Sequence, residues 1–219
     1  MKLILCSEGF YTEEIILKCE ELVGKKRNSI NIAIVNEGYA VEHEDNLRWV
    51  LDNLNTVRDN FGGNLELVNL LALDIKTVEE RIKLHDVIFV VGGDTDYLMS
   101  VYNKTGFSKL LPKLLKSKVY VGSSAGSMVL GKRLSRDAYA KVYGFSGDYG
   151  IIKYLEIVNF VFMPHLENSH FPNRKENLIE AVKKYSGKIY GLRDDSAVVV
   201  EGENMYTMGS EPLVLNKKS

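Results

Sequence analysis

Short apolar runs alternate along this chain with stretches whose apolar residues recur every three or four positions. Residues 3–6, 30–35, 65–71, 87–91, 119–122, 158–163 and 188–192 are the runs, and each predicts a β-strand. The run at 87–91 is apolar throughout, as suits a strand buried on both faces. Between the runs, Ile15, Ile16, Cys19, Leu22 and Val23 share one face of a helix that Thr12 caps and Gly24 stops. Leu47, Val50, Leu51, Leu54 and Val57 form the buried face of the next, with His43 at its exposed start. Val78 and Ile82 mark a short helix, and Leu178, Ile179, Val182 and Tyr185 a stripe on a helix over 173–185.

Residues 95–115 predict two short helices, interrupted near Gly106 and again at Pro112, because proline removes a donor and crowds the preceding turn. Residues 132–154, rich in Gly, Ser, Asp and Tyr, show no period and read as a loop or small hairpin, the place for a substrate lid. Residues 196–201 and 205–208 form a hairpin over Gly202-Glu203-Asn204, and 213–215 add an edge strand. The repeated strand-then-helix order predicts α/β architecture, a mostly parallel sheet with helices on both faces and a C-terminal antiparallel hairpin. Ligands in such sheets bind beyond the carboxyl ends of the strands. No repeat or proline-rich linker divides the 219 residues, so one domain over 1–219 is expected.

One strand-to-helix junction carries candidate chemistry. Gly122-Ser123-Ser124-Ala125-Gly126 fits G-x-S-x-G, in which a serine stands on a corner whose two backbones approach too closely for any residue but glycine. Glycine-rich turns with serines also occur in α/β proteins without chemistry, so context decides. A serine hydroxyl attacks once a base takes its proton, and the negative oxygen formed in acyl transfer needs N–H donors. Ala125 supplies one donor, and the turn Gly92-Gly93-Asp94 after the run at 87–91 offers Gly93 for the second and Asp94 toward a substrate. Pro164 sets His165 at the end of a later strand, which favours it as base over His170; His43 and His85 stand at polar element ends. A carboxylate must orient that histidine, and Asp194 and Asp195 are the candidates. Neighbouring side chains near a strand end point to opposite sides, so only one of them faces His165.

Gly92-Gly93-Asp94, Gly122-Ser123-Ser124-Ala125-Gly126, Pro164-His165 and Gly191-Leu192-Arg193-Asp194 together resemble the peptidase E (α-aspartyl dipeptidase) and cyanophycinase family of serine peptidases, over almost the whole chain. The resemblance implies a flavodoxin-like domain of the class I glutamine-amidotransferase type. It also implies catalytic Ser124, His165 and Asp194, no cofactor or metal, and dipeptides with N-terminal aspartate as substrates. The third member in the family is a glutamate or aspartate in a Gly-x-x-acid turn, where Asp194 stands. Aspartate preference demands a cation: Arg174 is the residue to clamp a carboxylate, a solvated surface arginine being its other reading. The family associates the substrate amine with an acid shortly after the nucleophile helix; Asp137 is nearby but does not align without gaps.

Lys and Arg number 28 and Asp and Glu 29, well mixed, so the formal charge of −1 creates no field for nucleic acid or an anionic membrane. The expected partner is a short peptide, and the expected assembly a monomer or homodimer. Cys6 in a strand and Cys19 on a helix stripe read as buried reduced thiols, which suits the cytoplasm. The first apolar run is too brief for a signal peptide, and no run is long enough to span a bilayer.

Other classes remain. Residues 126–132 match most of a phosphate-binding P-loop, but Arg133 stands where Ser or Thr is required and Gly126 falls inside the predicted helix. A non-catalytic small-molecule or nucleotide-binding protein on a peptidase-like fold is the alternative function. A glutamine amidotransferase needs cysteine at the elbow, and position 124 is serine.

Overall fold

The computed structural model describes residues 1–41, 48–143, 152–183 and 185–217. His43, Leu47 and residues 144–151 of the expected loop lie outside the described residues. In chain order the strands are β1 (Lys2–Cys6), β2 (Ile32–Val35), β3 (Leu65–Leu67), β4 (Val87–Val90), β5 (Val119–Ser123), β6 (Val161–Met163), β7 (Gly187–Gly191), β8 (Ala197–Glu201), β9 (Asn204–Met208) and β10 (Leu213–Lys217). The helices are α1 (Glu13–Val23), α2 (Arg48–Asn60), α3 (Ile75–Lys83), α4 (Thr95–Thr105), α5 (Phe107–Leu114), α6 (Ala125–Met128), α7 (Arg136–Tyr143) and α8 (Arg174–Ala181).

The main sheet has the order β3-β2-β4-β5-β1-β8-β9, parallel from β3 to β1 and antiparallel at β8 and β9. Side chains alternate between two cores. Leu3, Leu5 and Val90 join the cluster that includes α4 and α5 residues, while Ile4, Cys6 and Phe89 join the one containing Ile15, Cys19 and Val57 from α1 and α2. Helices therefore cover both faces. The register pairs Val90 with Gly122 and Cys6 with Ser123, so the chain leaves β4, β5 and β1 side by side at one carboxyl edge.

The expectation of a single sheet is corrected. β6, β7 and β10 form a second sheet of order β10-β7-β6, and the 213–215 edge strand lies there as part of β10. Val161, Phe162, Ile189 and Tyr190 are buried in the same cluster as Leu3 and Leu5, so this small sheet lies in the layer over one face of the main sheet. The edge beside β1 is occupied by β8.

Local departures have local causes. Pro112 lies inside α5 without breaking it, because Phe107, Leu110, Leu111 and Leu114 are buried and the helix ends soon afterwards. Gly106 does separate α4 from α5, with φ of 81°. In α2, Leu51 is 60% exposed and Asn53 is buried in its place. Helix α7 occupies part of the expected loop, burying Ala138, Tyr139 and Val142. Helix α8 is shorter than expected and leaves Ile179 exposed. Strands β2, β3 and β6 are shorter than their apolar runs; Val68, Leu70, Val158 and Phe160 stay buried without ladder pairing. Among the described residues, no helix is long and apolar enough to cross a membrane.

Candidate active site

Ser124 joins β5 to α6 at φ 49° and ψ −112°, a conformation that costs a non-glycine residue about 1–3 kcal/mol and persists only where the surroundings impose it. They do so through both backbone groups. The Ser124 N–H donates to the Cys6 and Ser7 carbonyls at 3.1 and 3.0 Å, and the Ser124 carbonyl accepts from Ser127 and Met128 at 2.9 and 3.0 Å. The Ser127 hydroxyl ties the same helix start to the Cys6 carbonyl at 2.8 Å. A Cβ on Gly122 would stand 2.7 Å from Gly126 C, and one on Gly126 only 2.3 Å from the Val90 carbonyl oxygen.

Beside this corner the chain leaves β4 through Gly92 and Gly93. Gly93 has φ +117°, and a Cβ there would lie 2.3 Å from the Gly38 carbonyl. Among the described residues, neither the Gly93 nor the Ala125 N–H donates to a backbone carbonyl. Asp94 caps α4 by accepting the Tyr97 N–H at 2.7 Å, and burial, with help from Asp96, pushes its carboxyl up.

His165 follows β6 and Asp194 follows β7, so both come from the small sheet. His165 is buried, with φ 59°, and its Nδ1 lies 2.6 Å from Asp194 Oδ1. The Asn168 side-chain amide donates to Asp194 Oδ2 at 2.5 Å. Ser7, fully buried at the end of β1, donates its hydroxyl to Asp194 Oδ1 at 3.2 Å and accepts the His165 backbone N–H at 2.8 Å. Burial works to raise the Asp194 carboxyl, yet the bond and charge of His165, with Asn168 and Ser7, hold it below the usual carboxylate range. With Nδ1 engaged by a carboxylate, Nε2 is the nitrogen left for other partners.

Ser124, His165, Asp194, Gly93, Asp94 and Arg174 all line one cavity of about 890 Å³. A serine corner, a carboxylate-bound histidine and two N–H groups without a backbone acceptor among the described residues stand together at one edge. A sequence profile of peptidase family S51 matches residues 9–208. The chain belongs to peptidase family S51, a family of serine peptidases.

Relatives of this S51 member carry peptidase names. An uncharacterised peptidase of Listeria monocytogenes is 30% identical over 157 residues, which is 65% of this chain and 73% of that protein. A peptidase E of Shewanella oneidensis is 28% identical over 163 residues, 66% of this chain and 65% of that one. A crystal structure of a candidate peptidase E from L. monocytogenes superposes with a TM-score of 0.76 at 21% identity, covering 96% of this chain and 98% of the other. A peptidase from an acI-B1 Actinobacterium gives 0.67 at 17% identity, covering 100% and 95%. At these identities the two structures share the fold.

Arg174 is buried rather than solvated at 4% exposure, its Nη1 donating to the Pro164 carbonyl at 3.3 Å and its Nε without a partner among the described residues. Its guanidinium lies 3.6 Å from the Phe171 ring centre and 4.6 Å from that of Tyr143. Burial pulls its pKa down, and no carboxylate among the described residues pairs with it. His170 is exposed at the cavity rim, and Asp137 is exposed outside the lining. His85 is buried, with Nδ1 2.9 Å from the Arg81 carbonyl oxygen and Nε2 3.1 Å from Asn64 Nδ2. Arg133 is committed to Asp96, at 2.6 and 3.0 Å, and Gly126 lies in α6 against Val90, which leaves no P-loop cradle.

Ser7, Glu8 and Asn168 were not singled out by the sequence reading. The signal for the first two was available, because Ser7 and Glu8 follow β1 directly, just as Asp94 and His165 follow soon after their strands. Glu8, His165 and Asp194 offer donor atoms all within 4.8 Å of one another, the spacing a cation would need.

Proposed function

We propose that this S51 member hydrolyses short peptides through an acyl-enzyme on Ser124, with dipeptides bearing an N-terminal aspartate as substrates. The observation that carries the reading is the 2.6 Å contact between His165 Nδ1 and Asp194 in the cavity that Ser124 lines. His165 Nε2 takes the Ser124 proton as Oγ attacks the scissile carbonyl, and the oxyanion receives the Gly93 and Ala125 N–H groups. Collapse expels the amine with the proton from His165. Water, deprotonated by the same nitrogen, then attacks the ester and frees the acid and Ser124.

Support for the acidic side chain comes from Arg174, a buried guanidinium at the cavity wall with no carboxylate of its own among the described residues. Asp94 lines the same cavity. The buried free thiols of Cys6 and Cys19, the latter pushed up to about 12 by burial, suit a cytoplasmic enzyme.

A fluorophosphonate probe tests the nucleophile: it labels Ser124 in the native protein and fails on Ser124→Ala. Labelling elsewhere, or full activity in the variant, removes the claim. A panel of dipeptides and aspartyl anilides, with β-aspartyl controls, tests the substrate class, and cleavage that ignores the first residue overturns the aspartate assignment.

A further inference from the structure

Glu8 is a carboxylate of the cavity wall that the hydrolytic scheme leaves unused. Ser124 donates its N–H to Cys6 and Ser7, so the next residue of that segment stands beside the nucleophile. The Glu8 carboxylate receives a single hydrogen bond among the described residues, from the Asn53 amide to Oε1 at 3.2 Å. Its Oε2 lies 3.4 Å from His165 Nδ1, but that nitrogen is already held by Asp194 at 2.6 Å. No lysine or arginine among the described residues pairs with Glu8. It is an anion without a countercharge of its own, on the wall of a site that receives peptides.

The stereochemistry of a peptide says what belongs there. The α-nitrogen of the residue being cleaved lies about 2.5 Å from its carbonyl carbon, from bonds of about 1.46 and 1.52 Å and an angle near 111°. A group that reads that nitrogen must therefore flank the nucleophile. Of the other carboxylates that line the cavity, Asp94 already spends an oxygen on the α4 cap, Asp194 is enclosed by His165, Asn168 and Ser7, and Asp52 is exposed on α2; Asp137 is exposed outside the lining. Glu8 is the partly buried carboxylate of the wall with capacity left. We infer that Glu8 is the subsite for the free α-ammonium group of the substrate, which confines cleavage to the first residue of a peptide. The inference rests on the reading of Ser124 as nucleophile for its position, and on Glu8 itself for its chemistry. Burial, reinforced by Asp194, raises the Glu8 carboxyl against the opposing effect of His165, as expected of an anion awaiting a cation.

Binding to the uncleaving Ser124→Ala protein separates the two claims. Calorimetry at pH 7 with aspartyl-leucine and N-acetyl-aspartyl-leucine is expected to show acetylation weakening affinity about 10- to 100-fold, the range of a charge-assisted hydrogen bond. Adding Glu8→Gln should shrink that ratio to about threefold or less by weakening only the free-amine peptide, and Glu8→Asp should restore part of it. An unchanged ratio in Glu8→Gln overturns the inference, as does failure of both peptides to bind. If Glu8 instead positions His165, Glu8→Gln alone lowers kcat equally on both peptides and leaves the ratio intact, which also overturns it. A ratio that collapses as expected in a protein whose Ser124 resists the fluorophosphonate upholds the subsite and removes the nucleophile.

Discussion

Asp194 and Asp195, adjacent in the chain, belong to separate hydrogen-bond networks: Asp194 Oδ1 lies 2.6 Å from His165 Nδ1, whereas Asp195 accepts the Ser196 and Ser210 hydroxyls at 2.8 and 2.6 Å. The Ser210 bond is the main reason the Asp195 carboxyl is held low, and that bond braces the β8 end and the 208–213 turn.

Their substitutions should separate accordingly. Asp194→Asn is expected to cut turnover on the order of 10²- to 10⁴-fold with little change in affinity, because a neutral amide neither fixes the imidazole tautomer nor steadies its charge. Asp195→Asn should stay within about threefold of wild type in kcat, with the loss appearing in thermal stability instead. Steady-state kinetics on both purified variants check this, and the reverse order reassigns the role.

Arg174→Lys should raise KM for aspartyl dipeptides about 10- to 100-fold, since an ammonium does not reproduce a planar fork lying against Phe171. Leucyl dipeptides should change far less. An equal loss on both series would mean that Arg174 holds the wall formed by Phe171 and Tyr143 and does not read the substrate.

Gly126→Ala should destabilise the fold by about 1–3 kcal/mol or more, because the new methyl would fall 2.3 Å from the Val90 carbonyl oxygen and neither backbone is free to move. Urea denaturation measures it. Residual folded protein should label poorly at Ser124, since the β4–α6 spacing also sets the elbow.

Glu37 gives a pH signature. Its carboxyl is buried, accepts the Leu70 N–H through Oε1, and leaves Oε2 without a partner among the described residues. Burial raises its pKa above the ordinary glutamate value near 4.3. Between that value and the folded one the native state holds the extra proton, so stability falls as pH rises through this window and is fully restored below it. Glu37→Gln should remove this slope, raising the melting temperature at pH 8 relative to wild type by more than at pH 4.5. Parallel melting profiles across pH would refute it.

Periodicity and turn chemistry are local properties, and they carried most of the architecture. Thr12 and Gly24 bound α1 because a cap and a left-handed stop act within a few residues, and Val87–Val90 is a two-sided strand because its composition has no polar face. The G-x-S-x-G corner was legible for the same reason: close packing of a strand against its own helix demands glycine at fixed spacing. Tertiary structure alone decided that β6 and β7 leave the main sheet, because a short apolar run suits either sheet and the competition was settled by β8 taking the edge beside β1. It decided between Asp194 and Asp195, whose directions depend on what the small sheet packs against. It also decided that Arg174 is buried and that Ser7 and Glu8 belong to the site: a side chain's surroundings are contributed by segments far away in sequence, and no local pattern encodes them.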